Sequence, residues 1–164
     1  MGWLFGFFGK HQFEISDVSK FHPQSVTSFT DSNCYIAAGG NENLLAYQSK
    51  ENQNKFFICG LGISPNGDSI LSSKDWDNLL DNYNEIPDLN GHFCGVQIYN
   101  DSIKIFTDKT GLREIHILES KDGCFFSTRL DWLLKIQKSE IDFKVFSSRW
   151  LFSIRYPIKV LLET

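Results

Sequence analysis

A chain of 164 residues and 18.9 kDa suits one domain, with or without a short appendage, and needs no disulfide or metal staple to fold. A formal charge of −4 and a pI near 5.5 argue against general nucleic-acid binding. The hydrophobic share of 41% and the aromatic share of 15% agree with a sizeable core, and Phe, at fifteen residues, is unusually frequent.

The opening Met1-Gly-Trp-Leu-Phe-Gly-Phe-Phe-Gly-Lys10 lacks the basic start, long apolar run and small-residue cleavage site of a secretory signal. Met1-Gly2 matches the start of a myristoylation signal, but Gly6 stands where Ser or Thr is needed. Nowhere does the chain reach the ~20 consecutive apolar residues of a membrane helix. The segment therefore reads as an initial buried strand, Leu4–Phe8.

Short β-type runs follow at Gln12–Ile15, Val26–Phe29, Cys34–Ala38, Leu44–Gln48 and Lys55–Ile63. The polar stretch from Ser49 to Asn54 reads as the hairpin loop between the last two. The period then changes over residues 72–82. Ser72 and Asp75 form a helix-start pattern, and Trp76, Leu79 and Leu80 share one face. Asp75, Asp77 and Asp81 suit the positive end of that helix.

A turn over Asp88–Gly91 leads into a second block of strands. Phe93–Tyr99 and Ile103–Thr107 flank Asn100-Asp101, a tight-hairpin signal. Arg113–Leu118 and Cys124–Ser127 flank the loop from Glu119 to Gly123. Helices are predicted over Leu130–Gln137 and from an Asp142 cap through Val145, Trp150 and Leu151, ending before Pro157. The order predicts an α+β domain with largely antiparallel sheets, and no G-x-G-x-x-G or Walker loop points to nucleotide binding.

Cys34, Cys59, Cys94 and Cys124 are widely spaced, without a C-x-x-C pair for zinc or redox work. Their apolar neighbours predict buried, reduced thiols, as in a cytoplasmic protein. His11, His22, His92 and His116 have no metal-ligand spacing, so no metal is expected.

From Leu89 onward the motifs become specific. Leu89-Asn-Gly91-His-Phe93-Cys-Gly-Val-Gln-Ile98-Tyr99-Asn100 resembles the "L-x-G-x-F-A-F-x-I-Y-D" block of the asparagine synthetase family. Thr107-Asp108-Lys109-Thr-Gly111-Leu-Arg113-Glu-Ile-His116 is similar to its "R-D-x-x-G-x-x-P-L-Y" hairpin, keeping Asp108, Gly111 and a basic residue at Arg113. Phe126–Leu134 stands where the family has "A-S-E-x-K-A-L-L". Ile141-Asp142 through Phe152-Ser153, with Pro157 and Leu161-Leu162, resembles the segment leading towards the ATP-dependent synthetase domain. At the N-terminus, Met1–Phe8 matches "M-C-x-I-F-G-x-F" weakly. Neither "H-R-G-P-D" nor "G-S-D-x-E" has a counterpart.

The resemblance implies a class II glutamine amidotransferase domain over residues 1–140, followed by a helix and linker over 141–164. The implied fold is an Ntn-hydrolase-like αββα sandwich of two mostly antiparallel sheets with flanking helices. In the family, the nucleophile is a cysteine exposed as the first residue after methionine removal. Gly2 occupies that position and brings no side chain. An Asn side chain and the next Gly amide hold the oxyanion in the family, a contribution of about 2.7–4 kcal/mol per donor. Here Cys59 replaces the Asn, and Gly60 keeps only the backbone half. Leu61 stands where an acidic residue would hold the substrate amine, and no arginine precedes Arg113 to hold its carboxylate.

The expectation is therefore a catalytically degenerate glutaminase-like domain, without a cofactor of its own. Its expected partner is an ATP-dependent amide-forming synthetase domain in the same or another chain, with a homodimer as a further option and no membrane or nucleic acid. One alternative is a module that binds a peptide or small molecule in the vacated pocket or at a sheet edge. Another is a residual amidotransferase with Cys59 as a relocated nucleophile.

Overall fold

Successive side chains of a strand point to opposite faces of its sheet, and in this chain that alternation sorts the apolar residues into layers. The computed structural model describes residues 2–10, 19–40, 44–48, 54–82, 89–99 and 102–137. Among them lie the strands β1 (Trp3–Gly9), β2 (Thr27–Asp31), β3 (Cys34–Gly39), β4 (Leu44–Gln48), β5 (Lys55–Gly62), β6 (Gly91–Tyr99), β7 (Ser102–Thr107), β8 (His116–Ser120) and β9 (Gly123–Ser127). The helices are α1 (Ser73–Asn82) and α2 (Leu130–Ile136). A five-stranded sheet has the order β2-β3-β1-β9-β8, and a four-stranded sheet the order β4-β5-β6-β7. Their pairings are antiparallel, so the described residues form the expected α+β arrangement of two antiparallel sheets with helices.

The two sheets face each other across Leu4, Ile36, Ala38 and Phe126 from the first and Phe57, Cys59, Cys94 and Val96 from the second. On the far side of the first sheet, Trp3, Phe5, Phe7, Tyr35 and Phe125 pack against Trp132 and Leu133 of α2. On the far side of the second, Phe56, Ile58 and Phe93 pack against Trp76 and Leu80 of α1 and against Leu71 and Leu89. β1 is thus covered on both faces, which explains its near-continuous apolar run. Fully burying one such side chain contributes roughly 1.5–3 kcal/mol.

In three cross-strand pairs a glycine lies under the ring of its aromatic partner: Gly6 with Phe126, Gly39 with Trp3, and Gly95 with Phe106. In each pair a Cβ on the glycine would come within 2.1–2.5 Å of a ring atom. Cross-strand pairing is the unit of sheet stabilisation, and here the ring fills the space that the glycine leaves. The abundance of Phe and the glycines among the strands are two sides of one packing device.

α1 starts as its sequence predicts. Asp75 Oδ2 accepts the Ser72 amide at 2.9 Å, and Ser72 Oγ accepts the Asp75 amide at 3.3 Å, a reciprocal cap of the helix start. His22 is a structural residue. Its Nδ1 lies 2.7 Å from the Pro23 carbonyl, its Nε2 lies 2.7 Å from Tyr35 Oη, and its ring packs beside Trp3 and Tyr35.

Several predicted boundaries shift by one or two residues, and the start of one strand shifts by three. The strand predicted over Val26–Phe29 runs over Thr27–Asp31 and leaves Val26 exposed. The strand predicted from Arg113 begins at His116, because the Asp108 carboxylate takes the backbone N–H groups of Thr110, Leu112 and Arg113. Those donors are then lost to a sheet ladder. The predicted strand Gln12–Ile15, most of the loop from Ser49 to Asn54, the Asn100-Asp101 turn, the helix from Asp142 and the boundary after residue 140 lie outside the described residues.

Candidate functional site

The D-x-x-G segment builds the first part of the site. Gly111 donates its amide to the Asp108 carbonyl at 2.9 Å and adopts φ 65°, a left-handed conformation that glycine takes without strain. The tight turn folds the segment back around the buried Asp108 carboxylate. Oδ1 accepts the Thr110 hydroxyl at 2.7 Å and the Thr110 and Leu112 amides at 3.1 Å each, while Oδ2 accepts the Arg113 amide at 3.2 Å. Burial alone would raise the Asp108 pKa. The hydrogen bonds outweigh that and hold it below the ordinary carboxylate range.

That turn delivers Arg113 into the interior, where it is only 5% exposed. Its Nη2 donates to the carbonyl oxygen of Gly2 and lies 3.3 Å from the sulfur of Cys59. The charge of the same guanidinium also acts on Cys94. Cys59 and Cys94 stand directly opposite each other on β5 and β6, both fully buried between the sheets. The Cys94 thiol is pushed up to about 12, chiefly by burial, with its neighbour Cys59 adding to the rise and the Arg113 charge working against it.

Of the positions singled out in the sequence, Gly2 and Cys59 therefore meet at one cation. Gly60 lies next to them and has φ 119°; a Cβ there would fall 2.1 Å from the His92 carbonyl oxygen, so only glycine fits. Leu61 is not part of the group. It is 40% exposed and pairs with His92 across the sheet.

A cleft of about 530 Å³ opens beside this group. It is lined by Gly40, Leu44, Leu45, Ile58, Gly60 and Trp76, among others, and by Ser72 and Ser73 at the start of α1. Trp3 pairs with Gly39, so the chain start runs alongside the strand whose end reaches the cleft. Its lining mixes apolar side chains with the polar groups of Ser72 and Ser73. Among the described residues, no group of three or more His, Cys, Asp or Glu side chains is placed to hold a metal ion, and no helix is long and apolar enough to cross a membrane.

Sequence reasoning missed the central role of Arg113. The available signal was its position as the first arginine of the chain, two residues after the glycine of D-x-x-G. The pairing of Cys59 with Cys94 had no local signal, since residues 63–90 separate their strands.

Comparison of the chain with protein-family models, with curated proteins and with solved structures finds no match in any of the three.

Proposed function

We propose that this chain is a catalytically degenerate glutaminase-like domain, of the Ntn-hydrolase type, belonging to an asparagine synthetase-like protein. In this reading it docks on an ATP-dependent amide-forming domain and stabilises or regulates it. The observation that carries the reading is the meeting of Gly2 and Cys59 at the Arg113 guanidinium. These are the positions of the nucleophile and of one oxyanion donor in the family that the sequence resembles. Here the first has no side chain, the second is a weak donor, and a buried cation ties them together.

Two further features favour the reading. Sheets packed face to face with a helix outside each accord with the resemblance. Leu130 and Leu134, one turn apart on α2, are 48% and 41% exposed, as a docking face requires. The alternative of Cys59 as a relocated nucleophile is disfavoured, because its side chain is fully buried between the sheets, out of reach of a substrate the size of glutamine.

The test is direct. Purified protein incubated with glutamine should release no glutamate above a blank. Release that disappears in C59S would overturn the reading. The second reading, a binding module, is favoured by the cleft beside Gly60. It predicts thermal stabilisation by peptides or small molecules of another class, and none by glutamine.

A further inference from the structure

We propose that Cys59 and Cys94 form an oxidation site, a cross-strand dithiol that a hydroperoxide converts into a disulfide between β5 and β6. The inference is independent of the glutaminase-like reading. It rests on the register of β5 against β6 and on the placement of Arg113.

Of the four cysteines, this pair has the geometry. Cys59 and Cys94 are direct partners, neither is in a disulfide, and both side chains lie on the inter-sheet face. Directly opposite residues of an antiparallel pair have Cα atoms about 4.5–5.5 Å apart, inside the roughly 4.4–6.8 Å range of disulfides. Their Cβ atoms, about 4.5–5.5 Å apart, must close slightly to reach the roughly 3.5–4.5 Å that the bond requires. That small strain makes a bond that reductants reopen readily. Cys34 and Cys124 contrast with this pair. They flank Phe8 on β3 and β9, two strand spacings apart, which at about 4.7–4.9 Å per spacing exceeds any disulfide span.

Arg113 supplies the chemistry. Its guanidinium stands 3.3 Å from the Cys59 sulfur and favours negative charge there, the form that attacks an oxidant. The anionic sulfur of Cys59 attacks one peroxide oxygen. The S–O bond forms, the O–O bond breaks, and the leaving oxygen takes up the proton that Cys59 released, departing as water or alcohol. The Cys94 thiol then attacks the sulfenic sulfur. The S–S bond forms, the S–O bond breaks, and hydroxide leaves as water with the Cys94 proton. The sulfurs lose an electron pair, and the peroxide gains it. Leu44, which pairs with Cys59, and Gly60, which follows it, both line the cleft, so the cluster adjoins the cleft wall.

The experiment exposes the full chain to hydrogen peroxide at levels that leave its circular dichroism unchanged. Free thiols are then blocked with N-ethylmaleimide in denaturant, and tryptic peptides are mapped by mass spectrometry. Lys74 lies between the two cysteines, so they fall on different peptides. The expected result is one linked species, Cys59 to Cys94, which dithiothreitol reverses while Cys34 and Cys124 stay alkylated. C94S should lose the link and leave a dimedone-reactive Cys59. R113M should form the link severalfold more slowly. If Cys59 and Cys94 remain as alkylatable as Cys34 and Cys124 in the wild-type chain, or pass to sulfinic and sulfonic acids without linking, the proposal is overturned. The wild-type map decides even if a variant fails to fold.

Discussion

Nη2 of Arg113 donates to the carbonyl oxygen of Gly2, 111 residues upstream, and so fastens the turn after β7 to the chain start. A charge-assisted hydrogen bond of this kind contributes about 1.5–3 kcal/mol. R113A should therefore lower the unfolding free energy by at least about 2 kcal/mol, read as a fall in the urea midpoint at unchanged slope. R113K should recover only part of the loss, since a Lys ammonium on its flexible stem does not reproduce the planar guanidinium that meets the Gly2 carbonyl and the Cys59 sulfur.

The Asp108 carboxylate carries a pH dependence. Its pKa is held below the ordinary range, so its contribution to stability is fully present above the unfolded-state value of about 4. That contribution is lost as pH falls through the lower, folded-state value. D108N leaves buried backbone donors poorly satisfied and should cost about 1–3 kcal/mol at neutral pH. The gap between wild type and D108N should narrow as urea unfolding is repeated at progressively more acid pH. A gap that stays constant would count against the stated role of the carboxylate.

Gly6 offers a test of the glycine–aromatic pairs. In G6A the new methyl group would sit 2.1 Å from the Phe126 ring, which is itself fully buried. Overpacking of this kind costs about 1–3 kcal/mol. The expected outcome is a clear fall in melting temperature. Pairing G6A with F126L, which makes room for the methyl group, should give a smaller loss than the two single losses added.

Loss of the α1 cap should be milder. S72A removes the hydroxyl that accepts the Asp75 amide, at a cost of about 0.5–2 kcal/mol. Because Ser72 also lines the cleft beside Trp76, the same variant should weaken any ligand that thermal shift finds there. Ser28, on the edge strand β2 and away from the cleft lining, gives the control S28A.

Much of the fold was legible because it is written locally. The apolar runs along Cys34–Ala38 and Phe93–Tyr99, the helical period around Trp76, and the Ser72–Asp75 cap each depend on neighbours a few residues apart. The strand expected from Arg113 failed for a reason that is also local but competitive. Asp108 claims the backbone donors that a ladder needs, and side-chain capture of amides is not visible in hydrophobic periodicity.

By itself, the sequence determined the class of the domain, the burial of the first strand and the absence of a side chain at Gly2, all of which follow from residue identity and spacing. Only the tertiary structure decided that Gly2, Cys59, Cys94 and Arg113 share one buried cluster. The reason is that these residues lie on separate strands and a turn, joined by connections that carry no register information. Sheet register and inter-sheet packing fix such distant contacts, and both are set by the summed burial of many side chains rather than by any one motif.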